Sequence, residues 1–173
     1  CRAGNFSSSW KLRTAMMKGI SQHITADKVN LMLREARGMF LFPEPENRLA
    51  RMGLVLIEPR HGEGMTLRVA VPFDARNGAT TGISAADRAW SILRAIHPDV
   101  APGTFASGYI LPLVARTSGL HDCRGHTEGA VELARYGRSV SGGCHVRSNQ
   151  PRRRDGQRRR VEGLRLPSWL QNY

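Results

Sequence analysis

The charge of this chain is segregated, and the segregation decides which part of it can fold. The formal net charge is +12 over 173 residues. Residues 1–20 hold four basic and no acidic side chains, and residues 136–173 hold nine arginines against Asp155 and Glu162. Between them, residues 21–135 carry 13 basic and 12 acidic groups. Apolar periodicity is confined to the same stretch, and a packed core requires it. The pattern therefore predicts one domain over 21–135, an atypical segment at 1–20, and a disordered basic tail at 136–173. No run approaches 18 apolar residues, which excludes a membrane-spanning helix and any membrane role built on one. The chain starts at Cys1 without a leader pattern and reads as a fragment. Cys1, Cys123 and Cys144 are odd in number, widely spaced and free of any Cys-x-x-Cys. They favour a reduced, cytoplasmic protein over a disulfide scaffold or zinc site, with Cys123 as a loop thiol.

Local signals inside 21–135 alternate between helix and strand. Thr25 is a candidate N-cap for a helix with Val29, Met32, Leu33 and Ala36 on one face, stopped by Gly38. Met39 to Phe42 reads as a buried strand ended by Pro43, and Glu44 to Leu49 as a short helix. Leu67, Val69 and Val71 fall on one face of a strand. Ser84 and Asp87 form a capping pair before a helix whose Trp90 and 92–96 stripe reads as core. Ile110 to Ala115 is another strand, and Thr127 caps a helix bearing Ala130, Val131, Leu133 and Ala134. Irregular interleaving of this kind predicts an α+β class: a mixed sheet with helices packed on it.

Two polar loops stand out for chemistry. Gly78-Ala79-Thr80-Thr81-Gly82-Ile83-Ser84-Ala85-Ala86-Asp87-Arg88 and Arg124-Gly125-His126-Thr127-Glu128 each lead into a helix. A helix N-terminus offers unpaired N–H groups and the positive end of the helix dipole, which suit a phosphate. His126 adds a metal-ligand type, and Glu128 either complements the dipole or joins the chemistry. Asp87 and Arg88 read more readily as a cap and a surface charge.

These two segments, with His23-Ile24-Thr25 and Leu111-Pro112-Leu113, resemble 3,4-dihydroxy-2-butanone 4-phosphate synthase of riboflavin biosynthesis over about 22–135. The resemblance implies a homodimeric lyase, dependent on Mg²⁺ or Mn²⁺, that converts D-ribulose 5-phosphate to the butanone phosphate and formate. A divalent ion suits that chemistry because it clamps adjacent oxygens and stabilises an enediolate. Carried over by position, His126 is a metal ligand, and Arg124, Gly125, His126, Thr127 and Thr81 hold the sugar phosphate. The chain also departs from the family pattern. Cys123 stands where the family has Arg. Tyr109, in Gly108-Tyr109-Ile110-Leu111-Pro112-Leu113, stands where it has a catalytic His, and a phenol is a poor base near neutral pH. The family's upstream acidic loop and downstream Cys-Glu have no counterpart.

The genetic code offers a cause. Back-translating Phe6 to Ile20 with chosen synonymous codons and shifting one nucleotide permits LVVVEAENRDDEGD, an acidic loop in the expected place. The same operation on Cys144 to Gln157 permits VMCDLINPDGEMAN. Both ends therefore read as frame-shifted from a working synthase, and low or no activity is the expectation for this chain. The alternative reading is an inactive basic protein that binds nucleic acid without base readout. It is disfavoured because aromatics are sparse among the tail arginines.

Overall fold

A computed structural model describes residues 16–57, 68–121, 123–137 and 142–147. Among the described residues, eight strands and four α-helices follow one another as β1 (Met16–Ile20), α1 (Ala26–Ala36), β2 (Met39–Pro45), α2 (Glu46–Arg51), β3 (Leu56–Ile57), β4 (Val69–Ala70), β5 (Phe73–Ala75), α3 (Ala85–Ile96), β6 (Phe105–Ser107), β7 (Leu111–Ala115), α4 (His126–Tyr136) and β8 (Gly143–Arg147). Six strands form one sheet in the order β1-β8-β2-β7-β4-β3, and β5 with β6 forms a separate ribbon. The β2–β7 pair is parallel and the other named pairs are antiparallel. This is the α+β class with a mixed sheet that the sequence predicts.

Alternation along the strands separates two apolar layers. Phe40, Phe42, Val114, Cys144 and Val146 join Val29, Met32 and Ala36 of α1 and Ala89, Ile92, Ala95 and Ile96 of α3 in the main core. Phe73 links that layer to the ribbon, edge-on to Phe42 at 5.7 Å and to Phe105 at 4.9 Å between ring centroids. Leu41, Leu113 and Ala115 are buried outside that cluster, as are Ala130, Val131 and Ala134 of α4. Helix α4 packs against β2, β7 and β8. The sheet thus lies between α1 and α3 on one side and α4 on the other, each face burying every second residue.

Helix starts follow the sequence closely. The Thr25 side chain accepts the Lys28 N–H at 3.3 Å, and Ser84 Oγ accepts the Asp87 N–H at 3.0 Å. Other boundaries differ. Helix α1 ends at Ala36, and its cap Arg37, not the expected Gly38, takes the left-handed conformation at φ 50°. Strand β2 continues through Pro43, because its pairing with β8 stops at Leu41 opposite His145 and the Pro43 carbonyl lies against Gly142 beyond that point. Helix α4 is capped by Gly125, not Thr127, which is already helical. Ala70 is fully buried while Val71 is 37% exposed, so the expected face of this strand is reversed. Trp90 is 42% exposed: instead of filling the core it covers Gly78 and donates its indole N–H to the Asn77 carbonyl at 2.8 Å.

The largest correction concerns the ends. Strands β1 and β8 both lie outside 21–135 and pair along their full lengths, and β8 pairs with β2 as well. Cys144 and Val146 of β8 are wholly buried, so 143–147 is structure and not tail. The remainder of 136–173 beyond Arg147 lies outside the described residues, as do 1–15.

Candidate functional site

The first loop is built around one carboxylate. Asp87, in the first turn of α3, accepts the Thr80 N–H at 2.9 Å, the Thr80 hydroxyl at 2.8 Å and the Gly82 N–H at 3.1 Å. These hydrogen bonds, led by the Thr80 amide, hold the Asp87 carboxyl below its ordinary range. The charge belongs at a helix N-terminus, where the dipole favours it. The Thr80 and Gly82 amides are therefore engaged internally, while Thr81 is exposed at the tip of the loop. Arg88 turns back to donate to the Ile83 carbonyl at 3.0 Å.

The second loop repeats the device. Glu128, in the first turn of α4 and 5% exposed, accepts the Arg116 N–H at 3.2 Å. Its other oxygen lies so close to Gly125 that a Cβ there would overlap it. Glu128 thus ties the end of β7 to the start of α4. Around it, Arg124 is exposed, and Gly125, His126 and Thr127 are half-buried at the helix start.

A third carboxylate lies beside the first loop. Asp74 lies on β5, 7% exposed, with Oδ2 accepting the Tyr109 N–H at 3.0 Å. Oδ1 is buried, with no hydrogen-bond partner among the described residues. Gly82 and Gly108 press on the carboxylate, and a Cβ at either would overlap it. Burial pushes the Asp74 carboxyl up, and the Tyr109 amide and the Arg88 charge oppose that only in part. The signal available in the sequence was a lone acid inside Val71-Pro72-Phe73-Asp74-Ala75.

The sequence-predicted residues form two groups. Thr80, Thr81 and Tyr109 gather before β7 begins; Tyr109 is 52% exposed. Arg124, Gly125, His126 and Thr127 gather beyond the end of β7, beside Arg116. The chain between Tyr109 and Arg116 is extended, so at about 3.3 Å per residue the two groups are separated by roughly 20 Å. They do not meet within one chain. Among the described residues no group of three or more His, Cys, Asp or Glu side chains is placed to hold a metal ion, and Glu128 beside His126 is engaged with Arg116. Mg²⁺ is commonly held by one or two protein groups with water completing its shell, so the lack of a larger cluster leaves His126 as a candidate ligand.

Of the described cysteines, Cys123 is half-buried at the second loop. Cys144 is free, but burial pushes its thiol up to about 12, and the protonated form is a poor nucleophile.

A six-stranded mixed sheet between helices, with carboxylate-stapled polar loops at both ends of a central strand, defines an α+β domain with two separated polar loop clusters. The family model described as 3,4-dihydroxy-2-butanone 4-phosphate synthase matches residues 13–157. The chain belongs to that family. Similar curated proteins of that name come from Pseudomonas aeruginosa, 39% identical over 113 residues, and Chromobacterium violaceum, 38% identical over 113 residues. Each alignment covers 65% of this chain, which spans only 31% and 54% of those relatives. Among solved structures, a two-domain 3,4-dihydroxy-2-butanone 4-phosphate synthase from A. baumannii superposes with TM-score 0.79 at 27% identity, covering 88% of this chain and 46% of that one. A synthase solved with two magnesium ions gives 0.75 at 26% identity, covering 84% and 69%. No helix among the described residues is long and apolar enough to cross a membrane.

Proposed function

We propose that this chain carries the sugar-phosphate scaffold of the lyase that converts D-ribulose 5-phosphate to 3,4-dihydroxy-2-butanone 4-phosphate and formate, and that its own turnover is low or absent. The observation that carries the reading is the pair of carboxylate-stapled helix starts in family positions. Thr81 at one, and Arg124, Gly125 and Thr127 at the other, are the groups that would bind a phosphorylated polyol. His126 would be a ligand for Mg²⁺ or Mn²⁺, the ion whose chemistry is to stabilise an enediolate. The described residues of one chain supply no complete ligand set, so no step is routed through the ion.

The separation of the half-sites favours a homodimer, since a second copy can bring its Tyr109 end to the His126 end of the first. Low activity follows from composition. Residues 1–20 hold no Asp or Glu, and Tyr109 stands in for an imidazole. Groups that act as a unit lose most of the rate when one is missing. We attribute the lost carboxylates to frame-shifted ends, which sequencing the codons tests directly. A pathway on a freely dissolved sugar phosphate fits the cytoplasm.

The decisive experiment measures binding of D-ribulose 5-phosphate by calorimetry and formate release with Mg²⁺ on the same protein. Binding without formate is the expected result. Clear formate release overturns the claim of low activity, and no binding at millimolar substrate overturns the site.

A further inference from the structure

We propose that Asp74 is a positioning residue for the first half-site: its carboxylate is the joint that fixes the side chain at position 109 against the 80–82 turn. The inference rests on the reading of that half-site given above, since it names what holds two of its parts in register.

The geometry is specific. Asp74 reaches the segment preceding β7 by accepting the Tyr109 N–H at 3.0 Å. It reaches the α3 loop by packing against Gly82, whose Cβ position would overlap its Oδ2. The same Cβ position lies 3.1 Å from Tyr109 Cδ2, so the Tyr109 ring rests on Gly82 over the carboxylate. Gly108 closes the other side, again too near for any side chain. Three segments distant in sequence, β5, the α3 loop and the approach to β7, therefore meet at one carboxyl group, and two of them meet it through glycine. Asp87 holds the 80–82 turn from its helix side, and Asp74 holds it from beneath.

Stability alone does not account for this group. One oxygen is buried with no hydrogen-bond partner among the described residues, and burying a carboxylate oxygen in that way is costly. Burial also raises its proton affinity, with Arg88 and Asp87 of α3 the charged groups facing it. A side chain held at such a cost between two loops of a candidate site has the character of a positional device.

The test uses the ligand-free full chain, so its outcome is independent of whether substrate binds or turns over. Nuclear Overhauser contacts between the Gly82 α-protons and the Tyr109 ring report position, and amide exchange reports the joints. Asp74→Asn keeps the acceptor and the volume; Asp74→Ser cannot reach the Tyr109 amide. In wild type and Asp74→Asn the Gly82–Tyr109 contact is expected to be present, with equal protection at Tyr109, Thr80 and Gly82. In Asp74→Ser, Tyr109 protection should fall about tenfold or more, the effect of one hydrogen bond to a charged acceptor. The Thr80 and Gly82 amides should fall at least about threefold, although their acceptor Asp87 is untouched. The Gly82–Tyr109 contact should disappear.

A folded Asp74→Ser that keeps the contact and wild-type protection at Thr80 and Gly82 overturns the proposal. So does a folded Asp74→Asn that loses the contact. If Asp74→Ser does not fold, Asp74→Thr replaces it, and failure of both to fold overturns positioning in favour of a purely structural role.

Discussion

Asp74 and Asp87 address the same 80–82 turn from opposite sides, and their protons respond in opposite directions. The Asp87 carboxyl is held below its ordinary value of 3.8 by hydrogen bonds led by the Thr80 amide. Its contribution to stability is present above the unfolded value and is lost as pH falls through the folded one. Asp74 is raised above 3.8 by burial. Its contribution is complete below the unfolded value and is lost as pH rises through the folded one. Urea midpoints measured from pH 7 downward should therefore separate them. Asp74→Asn is expected to be as stable as wild type or more so at pH 7, and to lose the wild-type gain on approaching pH 4. Asp87→Asn should be less stable at pH 7 and show a shallower decline below about pH 4; parallel pH curves for all three proteins contradict this account. Gly82 gives a steric counterpart. It sits at φ 78°, and a methyl group would strike the Asp74 carboxylate. Gly82→Ala should cost about 1–3 kcal/mol, the range for overpacking, read as a lowered denaturation midpoint at unchanged slope.

The elements show how a site can be half legible. Thr25 and Ser84 announced their helices because a side-chain cap is written in the sequence at a fixed offset. Gly125 caps α4 with no side chain at all, so Thr127 was the nearest residue able to look like a cap. Strand β2 hid its length behind Pro43, since a proline normally ends central pairing; here the β8 neighbour has already left the ladder. The two loops were legible as helix starts, but sequence distance carries no direction, so nothing in it placed them at opposite ends of β7. Nor did it separate staple from ligand: Asp87 bonds its own loop, and Glu128 bonds the end of β7. Glu128 is the place to test that distinction. Glu128→Gln keeps an acceptor for the Arg116 amide and should change stability little. Glu128→Ala removes it and should cost about 1–3 kcal/mol, the usual penalty for an orphaned buried partner. Amide exchange at Arg116 should accelerate only in the alanine variant. Equal exchange in both variants would remove Glu128 from its role as the staple between β7 and α4.

At the scale of the whole molecule, the sheet is closed by its last described strand. Strand β8 lies between β1 and β2, so the first and last described segments of the chain are neighbours, and every other strand of the sheet is on the far side of β2. Its entry is held by polar contacts from distant segments: Ser21 Oγ donates to the Gly142 carbonyl at 2.7 Å, and the Gly142 N–H donates to Glu44 Oε1 at 2.9 Å. Removing β8 would leave β1 with no partner among the described strands and expose one edge of β2, together with the side of the main core formed by Cys144 and Val146. The GCHVR segment needs no acidic residue and no long apolar run to do this, because backbone pairing and two inward side chains suffice. That is why a segment embedded in an arginine-rich stretch still completes the fold. Val146, wholly buried among α1 and β2 residues, is the sensitive point. Val146→Ala should lower stability by about 1–3 kcal/mol while leaving one cooperative transition, since truncation leaves a cavity but keeps the ladder. Val146→Asp places an unpaired charge in the core and should abolish cooperative unfolding, with loss of protection in β1 and β2 together. If Val146→Asp retains a wild-type denaturation curve, 143–147 is not part of the folded sheet, and the domain ends where its charge pattern first suggested, near residue 135.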